Sequence, residues 1–226
     1  MVLHVDQDRS NNNNHASQNG HAKLDYHREQ GLAVVQDAQR VKSVTPKIDY
    51  PRLLELGREL LVALGEDPDR EGLQGTPRRW ADWWREFIEY DPGTTDTTFS
   101  ALSTDQMVCV SGMRVFSLCE HHLLPMWCDV TIGYIPGDKV LGLSKFARIA
   151  HQFAHQLQIQ ERLGQQIADE ISRITDTKHV AVLIKGEHLC MSSRGIRTPG
   201  IMTSSVMRGN FRTDHDLREE FMQMTK

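Results

Sequence analysis

The chain has 226 residues, of which 39% are hydrophobic and 25% charged, with 26 lysines and arginines against 30 aspartates and glutamates. That length allows one good-sized domain with a tail, and a formal net charge of -4 argues against a general nucleic-acid binder, which presents a basic face. No stretch approaches the roughly twenty apolar residues that span a bilayer, and residues 1–14 lack the apolar core of a signal peptide. The expectation is therefore a cytoplasmic protein with no membrane or nucleic-acid partner.

In chain order, residues 1–45 carry the run Asn11-Asn12-Asn13-Asn14, scattered histidines (His4, His15, His21, His27) and few aromatics. Such a composition cannot offset the entropy of ordering, so a disordered N-terminal extension with solvated histidines is expected. Residues 46–95 read as a helical region. Leu53, Leu56, Leu60 and Leu64 follow helical spacing, with Leu54 and Leu61 alongside, and predict an amphipathic helix over 51–64. Gly57 in its middle costs about 1 kcal/mol relative to alanine, and Gly65 offers a stop. Thr76 before Pro77 predicts an N-cap with proline at the first helical position. That helix, running to about Tyr90, carries Trp80, Trp83, Trp84 and Phe87, which suit a core or a subunit interface.

Residues 96–226 are expected to form the catalytic domain. Strands are predicted at 107–111, 114–118, 129–135 and 140–143, with Pro136-Gly137-Asp138 turning a hairpin between the last two. A helix from Ser144 would bury Phe146, Ile149, Ala150, Phe153 and Leu157. A second, from near Gln160, would bury Leu163, Ile167, Ile171 and Ile174. Strands return at 180–188 and 203–211, and a short helix from about Asp214 ends the chain. Strands, two helices, then strands predict an α+β fold, an antiparallel sheet with helices packed on one face.

The chemistry concentrates in Cys119-Glu120-His121-His122 and His188-Leu189-Cys190. Of four cysteines, Cys109 and Cys128 read as small hydrophobes. The other two sit beside histidines, which in a reduced compartment favours metal binding over disulfides. Cys119 and His122 lie three apart, close enough to turn inward on one tight bend. Cys190 can close a three-ligand set and leave the fourth zinc position open, as in catalytic rather than structural sites. Water at such a position loses a proton near neutral pH, which predicts a hydrolytic nucleophile. His188 and Cys190 would share one strand face, giving one ligand and one acid/base partner.

Other motifs are absent. His151 and His155 have the spacing of zinc proteases, but Gln152 stands where those enzymes place glutamate, and both lie off the apolar stripe, which predicts solvated side chains. The deaminase pattern, the P-loop and Gly-x-Gly-x-x-Gly are missing. Ser144, Lys145 and Arg148 place two cations in the first turn of a helix, where the dipole disfavours each by roughly 0.3–1 kcal/mol. They are either surface accident or one half of an anion site at the helix N-terminus, with Arg194 and Arg197 adding cationic reach near the metal. Glu161 either complements its helix dipole or accepts two parallel N–H bonds.

Taken together, Cys119-Glu120-His121-His122, Gly142-Leu143-Ser144-Lys145 with Arg148, Gln160-Glu161-Arg162-Leu163, and His188-x-Cys190 with Arg194-Gly195 occur in an order that resembles GTP cyclohydrolase I. Thr76-Pro77-x-Arg79 matches a further element of that family, and the resemblance runs from about Leu53 to about Phe221. It implies a Zn2+ enzyme that converts GTP and water into 7,8-dihydroneopterin triphosphate and formate, the first step of tetrahydrofolate or pterin biosynthesis. It further implies Cys119, His122 and Cys190 as zinc ligands and His121 and His188 as acid/base residues. Glu161 would read guanine with support from Gln160. Leu143, Ser144, Lys145, Arg148 and Arg194 would line the substrate and grip its triphosphate, with Arg79 reaching in from a neighbouring subunit. The tunnelling fold and a toroidal homodecamer with sites at subunit interfaces are implied as well. The N-terminal extension matches no motif, and residues 198–205 depart from the familiar pattern. A regulatory zinc protein without turnover, and a zinc hydrolase for another purine nucleotide, are the competing classes.

Overall fold

The computed structural model describes residues 48–102 and 105–226, so the N-terminal extension expected over 1–45 lies outside the described residues. The chain forms α1 (Tyr50–Ala63), α2 (Thr76–Ile88), β1 (Thr98–Ser100), β2 (Val108–Cys119), β3 (Pro125–Tyr134), β4 (Lys139–Leu141) and α3 (Leu143–Ala154). There follow β5 (Leu157–Gln158), α4 (Gln160–Thr175), β6 (Val180–His188), α5 (Leu189–Ser192), β7 (Ile201–Met207), α6 (Asn210–Thr213) and α7 (His215–Gln223). No described helix is long and apolar enough to cross a membrane.

Helix α1 starts where Asp49 accepts from the Arg52 amide at 3.1 Å and ends at Gly65, whose φ of 81° is open to glycine without strain. The costly Gly57 has a packing reason. A Cβ there would lie 3.1 Å from Pro77 Cα and 3.2 Å from the Trp80 ring, so the glycine is where α1 and α2 cross. The expected Thr76 cap shifts by one residue. Gly75 is the N-cap and makes no side-chain bond, while Thr76 Oγ1 accepts from Arg79 Nη2 at 3.2 Å.

The main sheet has the order β5-β2-β3-β6-β7. Its pairs are antiparallel except β2 with β5, so the sheet is mixed rather than antiparallel throughout. The two strands predicted at 107–111 and 114–118 are one strand, β2, with a register shift between Val110 and Met113 and Gly112 at φ 73°. A bulge bends a strand without ending it, which is why the break looks like a boundary in sequence. The hairpin predicted around Pro136-Gly137-Asp138 does not form. Both edges of β3 are already paired, by β2 and β6, so β4 pairs with β1 in a separate two-stranded sheet. Leu157 is not on the helix predicted from Ser144, because α3 stops at Ala154; it lies on β5 and is 39% exposed. The strand predicted to reach Phe211 ends at Met207. Gly209, at φ 55°, turns the chain into α6, which buries Phe211 completely.

Helices cover both faces of the sheet, not one. Val180, Val182 and Ile184 of β6 join Phe146, Ile149, Leu163, Ile167 and Ile171 of α3 and α4 in the larger core. The alternate residues Ala181 and Leu183 pack with Phe211 and Phe221 of α6 and α7. Strand β6 is apolar on both sides because both sides are covered, a pattern that periodicity alone cannot assign to one face. Gly133 of β3 belongs to this second face, where an added Cβ would sit 2.6 Å from Phe221 Cδ2. Gly133→Ala is therefore expected to push α7 off the sheet and destabilise by about 1–3 kcal/mol, as overpacking does. Urea denaturation with an unchanged m-value measures it.

His151 and His155 are not solvated. Tyr90 stacks on the His155 ring with centroids 3.8 Å apart and planes 12° apart, and Phe87 packs at 5.2 Å. His155 Nδ1 donates to the His151 carbonyl at 2.7 Å. Burial holds both imidazoles below their usual 6.5. The unfolded chain then binds more protons than the folded one below pH 6.5, so the stability these histidines confer is present above that value and is lost as pH falls. Between about pH 7.5 and 5.5, spanning the ordinary histidine pKa, the melting temperature of His155→Phe is expected to fall less than that of the wild type. Parallel thermal melts check this.

Candidate metal centre

Strand β2 delivers Cys119 to a tight turn. The amides of His122 and Leu123 donate to the Cys119 carbonyl at 3.3 and 2.8 Å, and the Cys119 amide donates to Leu124 O at 2.9 Å. Leu123 adopts φ 54° to close this turn. The turn brings His122 Nδ1 to 3.6 Å from Cys119 Sγ. The third residue arrives from across the sheet. Leu118 pairs with Pro125 and His188 with Met126, so β2 and β6 end at the same edge level. Strand β6 stops at His188, and Cys190 sits in the first turn of α5, not on the strand face expected for it.

Cys119, His122 and Cys190 each offer one donor atom, and all three atoms lie within 4.8 Å of one another. Two thiols and an imidazole are a soft set that suits zinc. Zinc bonds of about 2.3 Å to sulfur and 2.0 Å to nitrogen at a tetrahedral angle place such donors about 3.5 Å apart, close to the 3.6 Å found between Cys119 and His122. Burial and the adjacent Cys119 push the Cys190 thiol up, a tendency that a cation between the sulfurs reverses. The residues fit a metal. Arg194 Nη1 lies 3.0 Å from His122 Nε2, and Nδ1 is the nitrogen turned to Cys119, at 3.6 Å from its sulfur. By contrast Cys128 is fully buried in the core and its thiol is pushed up to about 12, as expected of a small hydrophobe. All four cysteines are free.

Two imidazoles flank the group. His121 is exposed, with Nδ1 3.8 Å from Cys119 Sγ. His188 donates from Nε2 to Gln160 Oε1 at 2.9 Å. Burial lowers the His188 pKa, and the nearby charge of Glu161 opposes that shift. Glu161 is exposed in the first turn of α4, whereas Gln160 beside it is 1% exposed.

Sequence reasoning assigned no role to Arg162. It forms an ion pair with Glu120, donates from Nε to Gln158 Oε1 at 2.7 Å and from Nη2 to Leu157 O at 3.0 Å. The pair ties the turn holding Cys119 and His122 to the first turn of α4. Its only sequence signal was position within Gln160-Glu161-Arg162-Leu163, because the partner becomes adjacent only through the β2–β5 pairing.

The cations of α3 have backbone partners. Lys145 Nζ donates to Thr94 O at 2.9 Å and Arg148 donates to the Pro92 carbonyl. Ser144 and Leu143 are exposed at a helix start whose N-cap, Gly142, makes no side-chain bond. Arg79 is exposed and lies over Thr76. The fold thus gathers Cys119, His121, His122, Cys190, Arg194, His188 and Gln160, while the described contacts of Arg79, Lys145 and Arg148 are with Thr76, Thr94 and Pro92.

An α+β chain with thiol and imidazole donors converging at its strand ends, and spare imidazoles beside them, is an arrangement that can hold a metal next to proton-transfer groups. The family model for GTP cyclohydrolase I matches residues 55–226, and the chain belongs to that family. It is 46% identical over 173 residues to the GTP cyclohydrolase 1 of Hyperthermus butylicus, covering 76% of this chain and 89% of that one. It is 45% identical over 183 residues to that of Deinococcus radiodurans, covering 78% and 85%. With the Aquifex aeolicus protein of the same name it shares 43% identity over 180 residues, covering 79% and 98%. Among solved structures, the archaeosine synthase QueF-Like in its apo form matches 46% of this chain and 95% of that chain, with a TM-score of 0.35 and 16% identity.

Proposed function

We propose that the chain is a zinc-dependent GTP cyclohydrolase I, which opens the imidazole ring of GTP, releases formate and yields 7,8-dihydroneopterin triphosphate. The observation that carries this reading is the convergence of Cys119, His122 and Cys190 within 4.8 Å, with His121 and His188 alongside, in a chain of that family. Those three residues would hold zinc, which would supply Lewis acidity next to His121 and His188.

The remaining roles belong to the chain's own side chains. His121, exposed beside Cys119, is suited to protonate guanine N7 as the ring opens. His188 serves proton exchange during ribose opening and rearrangement. The exposed carboxylate of Glu161 accepts the paired N1–H and 2-amino donors of guanine, with Gln160 behind it. Ser144, Lys145, Arg148 and Arg194 grip the triphosphate, Leu143 lines the substrate, and Arg79 comes from a neighbouring subunit. Lys145 and Arg148 already bind oxygen acceptors, the carbonyls of Thr94 and Pro92, at the uncapped start of α3, where an anion is favoured.

A tunnelling-fold homodecamer with sites between subunits is part of the same reading. Strand β7 forms one edge of the sheet, with Ile201 62% and Met202 36% exposed, and a free edge of this kind favours pairing with another copy. The test is to incubate purified zinc-loaded protein with GTP and assay formate and the oxidised, fluorescent pterin, with ATP as control. Failure to form product with zinc bound and the oligomer intact would sink the proposal.

A further inference from the structure

Gln160 stands directly before Glu161, yet its side chain faces the protein. Its Nε2 lies 3.0 Å from each of three acceptors, the carbonyls of Ile184 and Met202 and the hydroxyl of Ser204. Carbonyl oxygens accept and never donate, so the amide NH2 must point at them, and Oε1 must be the atom facing His188. A carbonyl-type oxygen likewise cannot donate. The 2.9 Å contact between Gln160 Oε1 and His188 Nε2 therefore requires the hydrogen to sit on Nε2. Backbone shape enforces the arrangement from below. A Cβ on Gly186 would lie 2.2 Å from Gln160 Oε1 and 3.1 Å from Cys128 Sγ, so only a glycine in β6 lets the amide lie there.

We infer that Gln160 is a positioning residue that anchors His188 through Nε2–H and leaves Nδ1 as the nitrogen that exchanges protons with the substrate. The inference rests on the proposed function in taking His188 as a proton-exchanging residue. With Nε2–H held by the amide oxygen, the ring keeps one tautomer and one orientation. With both ends of the amide engaged inside the protein and 1% of the residue exposed, Gln160 acts through His188, and recognition of the base falls to the exposed Glu161. Gln160 was expected to support Glu161 in reading guanine; the hydrogen bonds of its amide add the positioning of His188.

Long-range proton–nitrogen NMR of 15N-histidine-labelled, zinc-loaded protein tests the assignment on the wild type, with His188→Ala identifying the signals. The expected result is a His188 ring with hydrogen on Nε2. Gln160→Met, which keeps the shape and removes the acceptor, is expected to lose that tautomer bias and keep stoichiometric zinc. Its kcat on GTP should fall about 10–100-fold, the usual loss for an orienting partner, with KM changed by less than about threefold. Gly186→Ala, which displaces the amide without removing it, is expected to shift the His188 signals in the same direction. A wild-type His188 carrying hydrogen on Nδ1 alone would overturn the inference, as would a Gln160→Met protein with unaltered His188 signals and kcat. Absence of GTP turnover by the zinc-loaded wild type would overturn the proposed function instead, while the resting-state spectrum still decides the Nε2 anchor.

Discussion

Cys190→Ser is expected to empty the metal site. Dialysed protein should carry less than about a tenth of the wild-type zinc by elemental analysis, and formate release from GTP should drop to background. The replaced sulfur is one of the three donors that lie within 4.8 Å of one another among the described residues, and a hydroxyl is a poor substitute for a thiolate at zinc. The fold should persist, because Cys190 lies on the four-residue helix α5 and outside both hydrophobic cores. Cys128→Ser makes the contrast. Cys128 is fully buried in the larger core, so its hydroxyl replacement should leave zinc in place and reduce stability by about 1–3 kcal/mol, the cost of burying a poorly paired hydroxyl. Zinc lost from the Cys128 variant and kept by the Cys190 variant would refute the ligand set.

His188→Ala is the second large effect, and it separates ligand from proton carrier. Zinc should stay stoichiometric, since His188 lies outside the group whose donor atoms converge. Pterin formation should fall about 10²–10⁴-fold, the range for loss of a positioned acid/base. Removing the ring also strips Gln160 Oε1 of its described hydrogen-bond donor, so a modest stability loss is expected alongside. If His188→Ala emptied the site, the division between Cys119, His122 and Cys190 on one side and His188 on the other would be wrong.

Much of the site was readable because it is local. Cys119 and His122 converge through a turn closed by backbone bonds between neighbours, and spacing describes such a turn well. The helices were readable for the same reason. The periods at Leu163, Ile167, Ile171 and Ile174 name the buried face of α4 directly. Errors arose where a distant partner decided the outcome. Pro136-Gly137-Asp138 is good turn chemistry, but β3 had no free edge for β4 to join. His151 and His155 are polar residues off an apolar stripe, yet Tyr90 and Phe87 arrive from the end of α2 to cover His155.

By itself the sequence determined the donor types, the tight Cys119–His122 bend, the helix periods and, through its ordered motifs, the family. Tertiary structure alone decided how Cys190 reaches that bend, why Arg162 pairs with Glu120, and which nitrogen of His188 is anchored by Gln160. The reason is physical. Turns and helices are set by interactions within a few residues, whereas strand pairing and burial are settled by which distant surfaces exclude water together.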